Sequence, residues 1–195
     1  MKTSELVVVG LSHHTAPVEV RERIAVAPEQ LGGELGAFLE RAGTRDGLVI
    51  STCNRVELYC AAHDAAAAAS AAREYLAARG KSESLPDYVY ERRGREAVHH
   101  AFRVAASLDS MVVGEAQVLG QVKHAYTVAS EAGAMGTLLG RCFTHAFAVA
   151  KRVRRETRIA EGSVSVSSVA VELARKIFGD LSGRTVLIVG AGSSA

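Results

Sequence analysis

The sequence lacks several features that define specialised classes of protein. Its 195 residues include three cysteines, Cys53, Cys60 and Cys142, and no Cys-x-x-Cys pair. This odd, irregularly spaced set excludes a complete intrachain disulfide framework and indicates a reducing compartment. The formal net charge is +2, so the chain as a whole carries no signature of polyanion binding. A nucleic-acid partner would have to bind a local basic patch.

Long apolar runs, internal repeats and metal-ligand clusters are also missing. No stretch is apolar for long enough to span a bilayer, and the start has no basic region followed by an apolar run as in a signal peptide. His13 and His14 are adjacent in an extended segment, so their side chains face opposite ways, and no third ligand lies at a useful spacing. We therefore expect a cytoplasmic protein that binds no metal and no membrane.

The first 93 residues alternate between strand-like and helix-like patterns. The hydrophobic content is 48%, enough for one sizeable core or two small ones. Short apolar runs predict strands, and Pro28, Asp64, Gly43 and Gly80 are typical of helix starts and ends. The order is βαββαβ, a ferredoxin-like arrangement, with strands at 6–11, 47–50, 56–60 and 88–91 and helices at 28–43 and 65–79.

From residue 94 the apolar residues recur with the period of a helix. Stripes such as Val98, Phe102 and Ala105 predict helices with short connections, and hence a helical bundle over residues 94–160. The expected fold class is α+β, a ferredoxin-like catalytic domain followed by this bundle. A further helix, from about 165 to 178, opens the last segment, 161–195.

The last residues predict the opening of a dinucleotide-binding Rossmann domain. An apolar strand, 185–189, runs into Gly-x-Gly-x-x-Ala, in which glycines let the backbone approach a pyrophosphate. The expected dinucleotide contacts are Gly190, Ala191, Gly192, Ser193, Ser194 and Ala195. Because the sequence stops where the phosphate-binding helix should begin, the chain reads as part of a longer protein, unable by itself to bind a dinucleotide usefully or to complete a reaction that needs one.

Cys53 lies between two predicted strands, beside a hydroxyl, an amide and the guanidinium of Arg55. A thiolate is the reactive form of cysteine, and a nearby cation lowers the pKa of the thiol. Arginine binds carboxylates through two parallel hydrogen bonds. The pattern is therefore consistent with a nucleophile next to a carboxylate-binding residue. The alternative is a small residue packed at a hairpin.

Several motifs together resemble the N-terminal part of the glutamyl-tRNA reductase family. They are residues 10–17 (GLSHHTAP), 51–57 (STCNRVE), 107–123 (SLDSMVVGEAQVLGQVK), 163–170 (SVSVSSVA) and the terminal Gly-Ala-Gly. The resemblance implies NADPH-dependent reduction of glutamyl-tRNA to glutamate-1-semialdehyde, the first step of tetrapyrrole biosynthesis by the C5 route. It also implies a homodimer for the full-length protein and a glutamate-1-semialdehyde aminomutase that receives the product.

By this resemblance, Cys53 is the nucleophile that forms a glutamyl thioester, and His100 is an activity-linked histidine. Arg55 is expected to bind a carboxylate of the glutamyl group. The other expected substrate contacts are Thr52, Asn54, Ser110, Glu115, Ala116, Gln117 and Gln121. Without the resemblance, His100 would be a structural helix residue, and Ser110 and Glu115 would cap a helix.

A basic cluster and two rival functions remain open at this level. Lys151, Arg152, Arg154, Arg155 and Arg158 either contact tRNA phosphates or form a solvated helix face. The chain after Gly-Ala-Gly also departs from the family, which usually has Lys or Glu followed by Met-Gly. One rival is a cysteine-dependent acyltransferase or esterase that uses Cys53 with His100. The other is a non-catalytic tRNA-binding module.

Overall fold

The structure is a computed structural model and describes residues 4–81, 85–160 and 166–187. Four strands form one sheet in the order β2-β3-β1-β4, and all neighbouring strands are antiparallel. This order is that of the ferredoxin-like fold and confirms the predicted class. The strands are β1 (Glu5–Ser12), β2 (Gly47–Thr52), β3 (Arg55–Ala62) and β4 (Tyr90–Arg93).

Three helices connect the strands: α1 (Val18–Ile24), α2 (Leu31–Ala42) and α3 (Ala65–Gly80). α2 and α3 pack against each other and against β2 and β1. Their ends follow the sequence signals, since the Asp64 side chain accepts a hydrogen bond from the Ala67 amide (3.0 Å) and Gly43 ends α2 with φ 60°. α1 was not predicted. Its 7 residues make only about two turns, too few for a clear apolar period.

The second half is helical, as predicted. It contains α4 (Gly94–Ala105), α5 (Ala116–Glu131), α6 (Thr137–Glu156) and α7 (Val166–Phe178). α4, α5 and α6 pack on β1, β2 and β3, and one apolar cluster includes Phe38 and Tyr59 as well as Val122 and Phe143. The sheet and these helices therefore share one core. The boundary at residue 93 stays a prediction of where one segment of the chain ends and the next begins.

The described part of the last segment contains no strand. Thr185, Val186 and Leu187 are exposed and outside regular structure. The rest of the predicted strand and all of the expected NADPH contacts, 188–195, lie outside the described residues. Among the described helices, none has the length and apolar composition needed to cross a membrane.

Gly10 creates the space for a polar network at the centre of the sheet. It lies in β1 opposite Glu57 of β3 on one side and Tyr90 of β4 on the other. A Cβ atom at this position would overlap the Val56 carbonyl oxygen and approach the Glu57 Cγ to 2.8 Å. The absence of a side chain here lets the side chains of β3 cross the sheet surface at this point.

Candidate active site

Cys53 and Asn54 form the turn between β2 and β3, and Cys53 is exposed. The turn is held from two directions. Arg21 of α1 donates a hydrogen bond from Nε to the Cys53 carbonyl (3.3 Å), and the His13 amide donates to the Asn54 carbonyl (2.8 Å). The Asn54 amide also donates to Thr52 Oγ1 (3.1 Å). The sulfur is therefore accessible while its backbone is fixed.

Arg21 is a site residue that the sequence reasoning missed. It is buried although it lies in a short surface helix, and its Nη1 donates to the Ala16 carbonyl at 2.8 Å. It holds α1 against the Cys53 turn, because one of its hydrogen bonds goes to the Cys53 carbonyl and the other to the Ala16 carbonyl, just before α1. The sequence feature that indicates α1 is Pro17, followed by a segment in which Val20 and Ile24 are one helical turn apart.

The thiol of Cys53 is not acidified in this structure, contrary to the expectation from the nearby cation. Burial raises its pKa, and the charge of Glu115 raises it further. Arg21 and Arg55 act in the opposite direction with smaller effects. The physical reason is that burial disfavours the charged thiolate by more than the two arginines favour it.

Arg55 is 1% exposed and contacts two carboxyl groups. Its Nη1 donates to Glu57 Oε1 at 2.7 Å, and its Nη2 donates to the Asp109 main-chain carbonyl and lies 3.5 Å from Asp109 Oδ1. Burial alone would lower the pKa of Arg55, but Glu57 and Tyr90 outweigh it and the pKa is raised. The guanidinium thus stays charged inside the protein.

Glu57 is the centre of the buried network. Because side chains alternate along a strand, Arg55, Glu57 and Tyr59 of β3 share one face. The Tyr59 hydroxyl donates to Glu57 Oε2 (2.7 Å), the Tyr90 hydroxyl donates to Oε1, and His100 Nε2 lies 2.8 Å from Oε1. Burial acts to raise the pKa of Glu57, but Arg55 and His100 outweigh it and the pKa is lowered.

His100 belongs to this network rather than to the Cys53 turn. It is 4% exposed, and besides Glu57 its Nδ1 lies 3.7 Å from Asp109 Oδ2. No hydrogen bond joins it to Cys53 in the part of the chain that the structure describes. Sequence reasoning placed both residues at the site, and in the structure the contacts of His100 are with Glu57 and Asp109.

The segment between α4 and α5 and the first turn of α5 carry two each of the other expected contacts. Ser110 and Glu115 are buried, while Ala116 and Gln117, in the first turn of α5, are exposed. The segment is anchored at its ends. Ser107, with φ 58°, donates from Oγ to the Glu115 carbonyl (2.8 Å), and Arg154 Nη2 of α6 donates to the same carbonyl (2.9 Å). Gln121, one turn further along α5, is half-buried.

Buried polar side-chain atoms without a hydrogen-bond partner are concentrated near the Cys53 turn. Among the described residues they are His13 Nδ1, Asn54 Nδ2, Glu115 Oε2 and Arg154 Nε. Such atoms are rare in folded proteins because each carries a desolvation cost. Asn54 and Glu115 are 5% and 4% exposed. They offer a donor and an acceptor that a ligand at the turn could use.

The basic cluster of α6 divides between two roles. Arg154 points inward to the Glu115 carbonyl, whereas Arg152 and Arg155 are exposed and pair with Glu156 at 2.8 and 3.0 Å. Lys151 and Arg158 are also exposed. Within the described ranges no group of three or more His, Cys, Asp or Glu residues is arranged to hold a metal ion.

These features define a class: an α+β domain with an accessible cysteine on a hairpin above a buried arginine–carboxylate network. The sequence also matches the family model of the glutamyl-tRNAGlu reductase N-terminal domain over residues 9–157. The glutamyl-tRNA reductase of Pelobacter propionicus is 52% identical to it over 96% of this chain and 43% of the relative. That of Geobacter sulfurreducens is 51% identical over 96% and 44%.

A solved structure, glutamyl-tRNA reductase from Methanopyrus kandleri, matches with a TM-score of 0.68 and 39% identity over 99% of this chain and 44% of that chain. This chain therefore belongs to the glutamyl-tRNA reductase family and matches its N-terminal domain. It spans less than half the length of the relatives named here.

Proposed function

We propose that this chain carries the acyl-transfer site of a glutamyl-tRNA reductase, in which Cys53 takes the glutamyl group from glutamyl-tRNA as a thioester. The observation that carries the proposal is an accessible sulfur on a turn whose main chain is held by Arg21 and His13. Covalent catalysis requires such a nucleophile in a fixed position. Similarity to the curated relatives supports glutamyl-tRNA as the substrate.

In the proposed step, the sulfur forms a bond to the ester carbonyl carbon, and the bond from that carbon to the tRNA ribose oxygen breaks. The thiol loses a proton and the ribose oxygen gains one, so no oxidant or reductant is needed. Burial opposes this step in the free protein, and the charge of Glu115 opposes it further, because both raise the pKa of Cys53. The α-ammonium of the glutamyl group, placed beside Glu115, would cancel that charge and favour the thiolate.

The turn and the start of α5 supply the proposed substrate contacts. The Asn54 amide group, which has no partner at Nδ2, would donate to the ester carbonyl, beside the hydroxyl of Thr52. Arg55 would bind the free carboxylate of the glutamyl side chain. Ser110, Ala116, Gln117 and Gln121 would line the same pocket. His100 would act through Glu57, which it contacts at 2.8 Å, by keeping Arg55 in position.

Reduction of the thioester belongs to the proposal through the family relationship. NADPH, when bound, supplies the hydride that converts a thioester to an aldehyde. The residues expected to hold it, 190–195, lie outside the described part of the chain. The chemistry that the described residues support ends at the thioester, or at its slow hydrolysis by water.

The test is a single-turnover incubation of this chain with glutamyl-tRNA labelled in the glutamyl group. We expect protein-bound label, or ester cleavage, in the wild type and neither in Cys53→Ser. Cys142→Ala is the matched control, since Cys142 is a buried thiol of α6 and the variant should retain the wild-type result. Label that persists in a folded Cys53→Ser protein would contradict the proposal.

Three further measurements separate the two rivals. An acyltransferase or esterase that pairs Cys53 with His100 predicts equal cleavage of glutamyl and glutaminyl esters, and the described contacts of His100 do not favour it. A non-catalytic RNA-binding module predicts that alkylation of Cys53 changes nothing. It also predicts that charge reversal at Arg152 and Arg155, whose side chains are exposed, abolishes tRNA binding.

A further inference from the structure

We propose that Asp109 is an internal competitor: in the free protein it holds the position on Arg55 that the substrate carboxylate takes. The inference rests on the proposed function, because it assumes that Arg55 binds the glutamyl side chain. The observation behind it is that Arg55 is 1% exposed and already contacts both Glu57 and Asp109. A ligand carboxylate can reach the guanidinium only if one of these two groups leaves.

The charges show which group leaves. Arg55 and Glu57 already form a neutral pair, and a ligand carboxylate added beside both Glu57 and Asp109 would place three carboxylates on one buried guanidinium. Glu57 is fully buried and accepts hydrogen bonds from both Tyr59 and Tyr90. Asp109 Oδ1 lies at the longer distance, 3.5 Å against 2.7 Å for Glu57. Asp109 is therefore the exchangeable partner.

The surroundings of Asp109 provide a place for its carboxylate after the exchange. His14 Nε2 lies 3.0 Å from Oδ1, and Arg103 Nε lies 3.7 Å from Oδ2. Both of these side chains are largely exposed, at 62% and 44%. A cavity of about 620 Å³ opens beside the carboxylate, lined by His14, Arg92, Glu96, His99, His100, Arg103 and Asp109. A displaced Asp109 side chain would thus keep cationic neighbours.

The exchange needs only a side-chain rotation. The main-chain carbonyl of Asp109 accepts its own hydrogen bond from Arg55 Nη2, and this contact can persist while the carboxylate turns toward Arg103. The middle of the segment does not resist such a movement through packing, because the neighbouring Leu108, Met111 and Val113 are exposed. The segment ends stay anchored through Ser107 and Arg154.

An internal carboxylate raises the affinity that a ligand needs before it can occupy Arg55. A ligand carboxylate replaces one charged partner with another, whereas an amide would leave the buried guanidinium with less compensation than Asp109 gives it. A glutaminyl side chain therefore does not displace Asp109, and a glutamyl side chain does. When Asp109 is replaced by asparagine, the competitor is as weak as an amide ligand.

The test measures binding of glutamate α-methyl ester and glutamine α-methyl ester to this chain by titration calorimetry or NMR. We expect Asp109→Asn to bind the glutamate ester about tenfold more tightly than the wild type, since a charged competitor has become neutral. The glutamine ester meets the same weakened competitor and should gain by a similar factor, from a lower starting affinity. In Asp109→Ala, which has no competitor, both esters should bind more tightly. Glu96→Gln, which removes an exposed carboxylate of the same cavity, should change neither.

A measurement on the wild type keeps the proposal testable if a variant does not fold. The carboxyl-carbon NMR resonance of Asp109 should shift when the glutamate ester is added and stay in place with the glutamine ester. A wild type that prefers the glutamate ester, loses this preference in Arg55→Lys, and gains no affinity in Asp109→Asn would overturn the role of Asp109 alone. A wild type with no preference, unaffected by Arg55→Lys, would overturn the role of Arg55 and this inference with it.

Discussion

The Cys53 turn and the network beneath it are neighbours in the chain, yet they are held in place by different means. The turn is fixed through its main-chain carbonyls by Arg21 and His13, which leaves the sulfur accessible. In the network, buried charges hold one another in place. The Glu57 carboxylate accepts hydrogen bonds from Arg55, Tyr59 and Tyr90 and contacts His100. A reactive group needs exposure, whereas a buried charge needs neutralisation, so residues of one motif end in opposite environments.

The largest expected effect comes from removing the centre of the network. Glu57→Leu leaves the Arg55 guanidinium buried without its closest carboxylate and should lower the free energy of unfolding by about 3–5 kcal/mol. Denaturant unfolding checks it, with Glu131→Gln on the exposed end of α5 as the control expected to change little. A loss below about 1 kcal/mol would show that the network does not hold the fold.

A somewhat smaller effect is expected at Gly10, which tests whether the network depends on the space beside β1. Gly10→Ala places a methyl group against the Val56 carbonyl and the Glu57 Cγ and should cost about 1–3 kcal/mol. Gly33→Ala in α2 is the matched control. A Cβ there meets nothing within 4 Å, and alanine should stabilise the helix by up to about 1 kcal/mol. Equal effects of the two substitutions on unfolding would contradict the packing argument.

The next prediction tests the Cys53 turn by measuring the reactivity of its thiol. Glu115→Gln removes the charge that raises the pKa of Cys53, so that pKa should fall and alkylation at pH 7 should become several-fold faster, of order threefold. The pH dependence of the iodoacetamide reaction measures this shift, with Glu131→Gln again as control. Unchanged alkylation in Glu115→Gln would mean that Glu115 does not control the protonation of Cys53.

The smallest expected effect is a change in the free energy of unfolding at acidic pH. Burial acts to raise the pKa of Asp109, but Arg55, His100 and His14 outweigh it and the pKa is lowered below its ordinary 3.8. A carboxyl whose pKa is depressed on folding stabilises the protein at higher pH and loses that contribution as pH falls below about 4. The difference in unfolding free energy between wild type and Asp109→Asn should therefore be smaller at pH 3 than at pH 7. A difference that grows toward pH 3 would contradict this sign.

The sequence predicts the frame of the site better than its contacts. Strand patterns on both sides of Cys53 are local, so the hairpin and the ferredoxin-like order follow from them. The pairing of Arg55 with Asp109 joins residues 54 positions apart, and no local pattern encodes it. The expectation of an acidified thiol failed for the same reason, because the sequence shows a cation beside Cys53 but neither the burial of the thiol nor the approach of Glu115, 62 positions away, which together outweigh it. His100 was found by resemblance, yet its partner Glu57 is known only from the fold.

Arg154 has a consequence for how a large substrate and a small reacting group are aligned. On one turn of α6, Arg152 and Arg155 face outward, while Arg154 reaches inward to the main chain of Glu115. Arg154 therefore joins the helix that carries the exposed basic side chains directly to the main chain of Glu115. If those side chains bind the RNA of the proposed substrate, α6 acts as a fixed spacer, and the distance from the phosphate backbone to the esterified end of the tRNA becomes part of what the protein recognises.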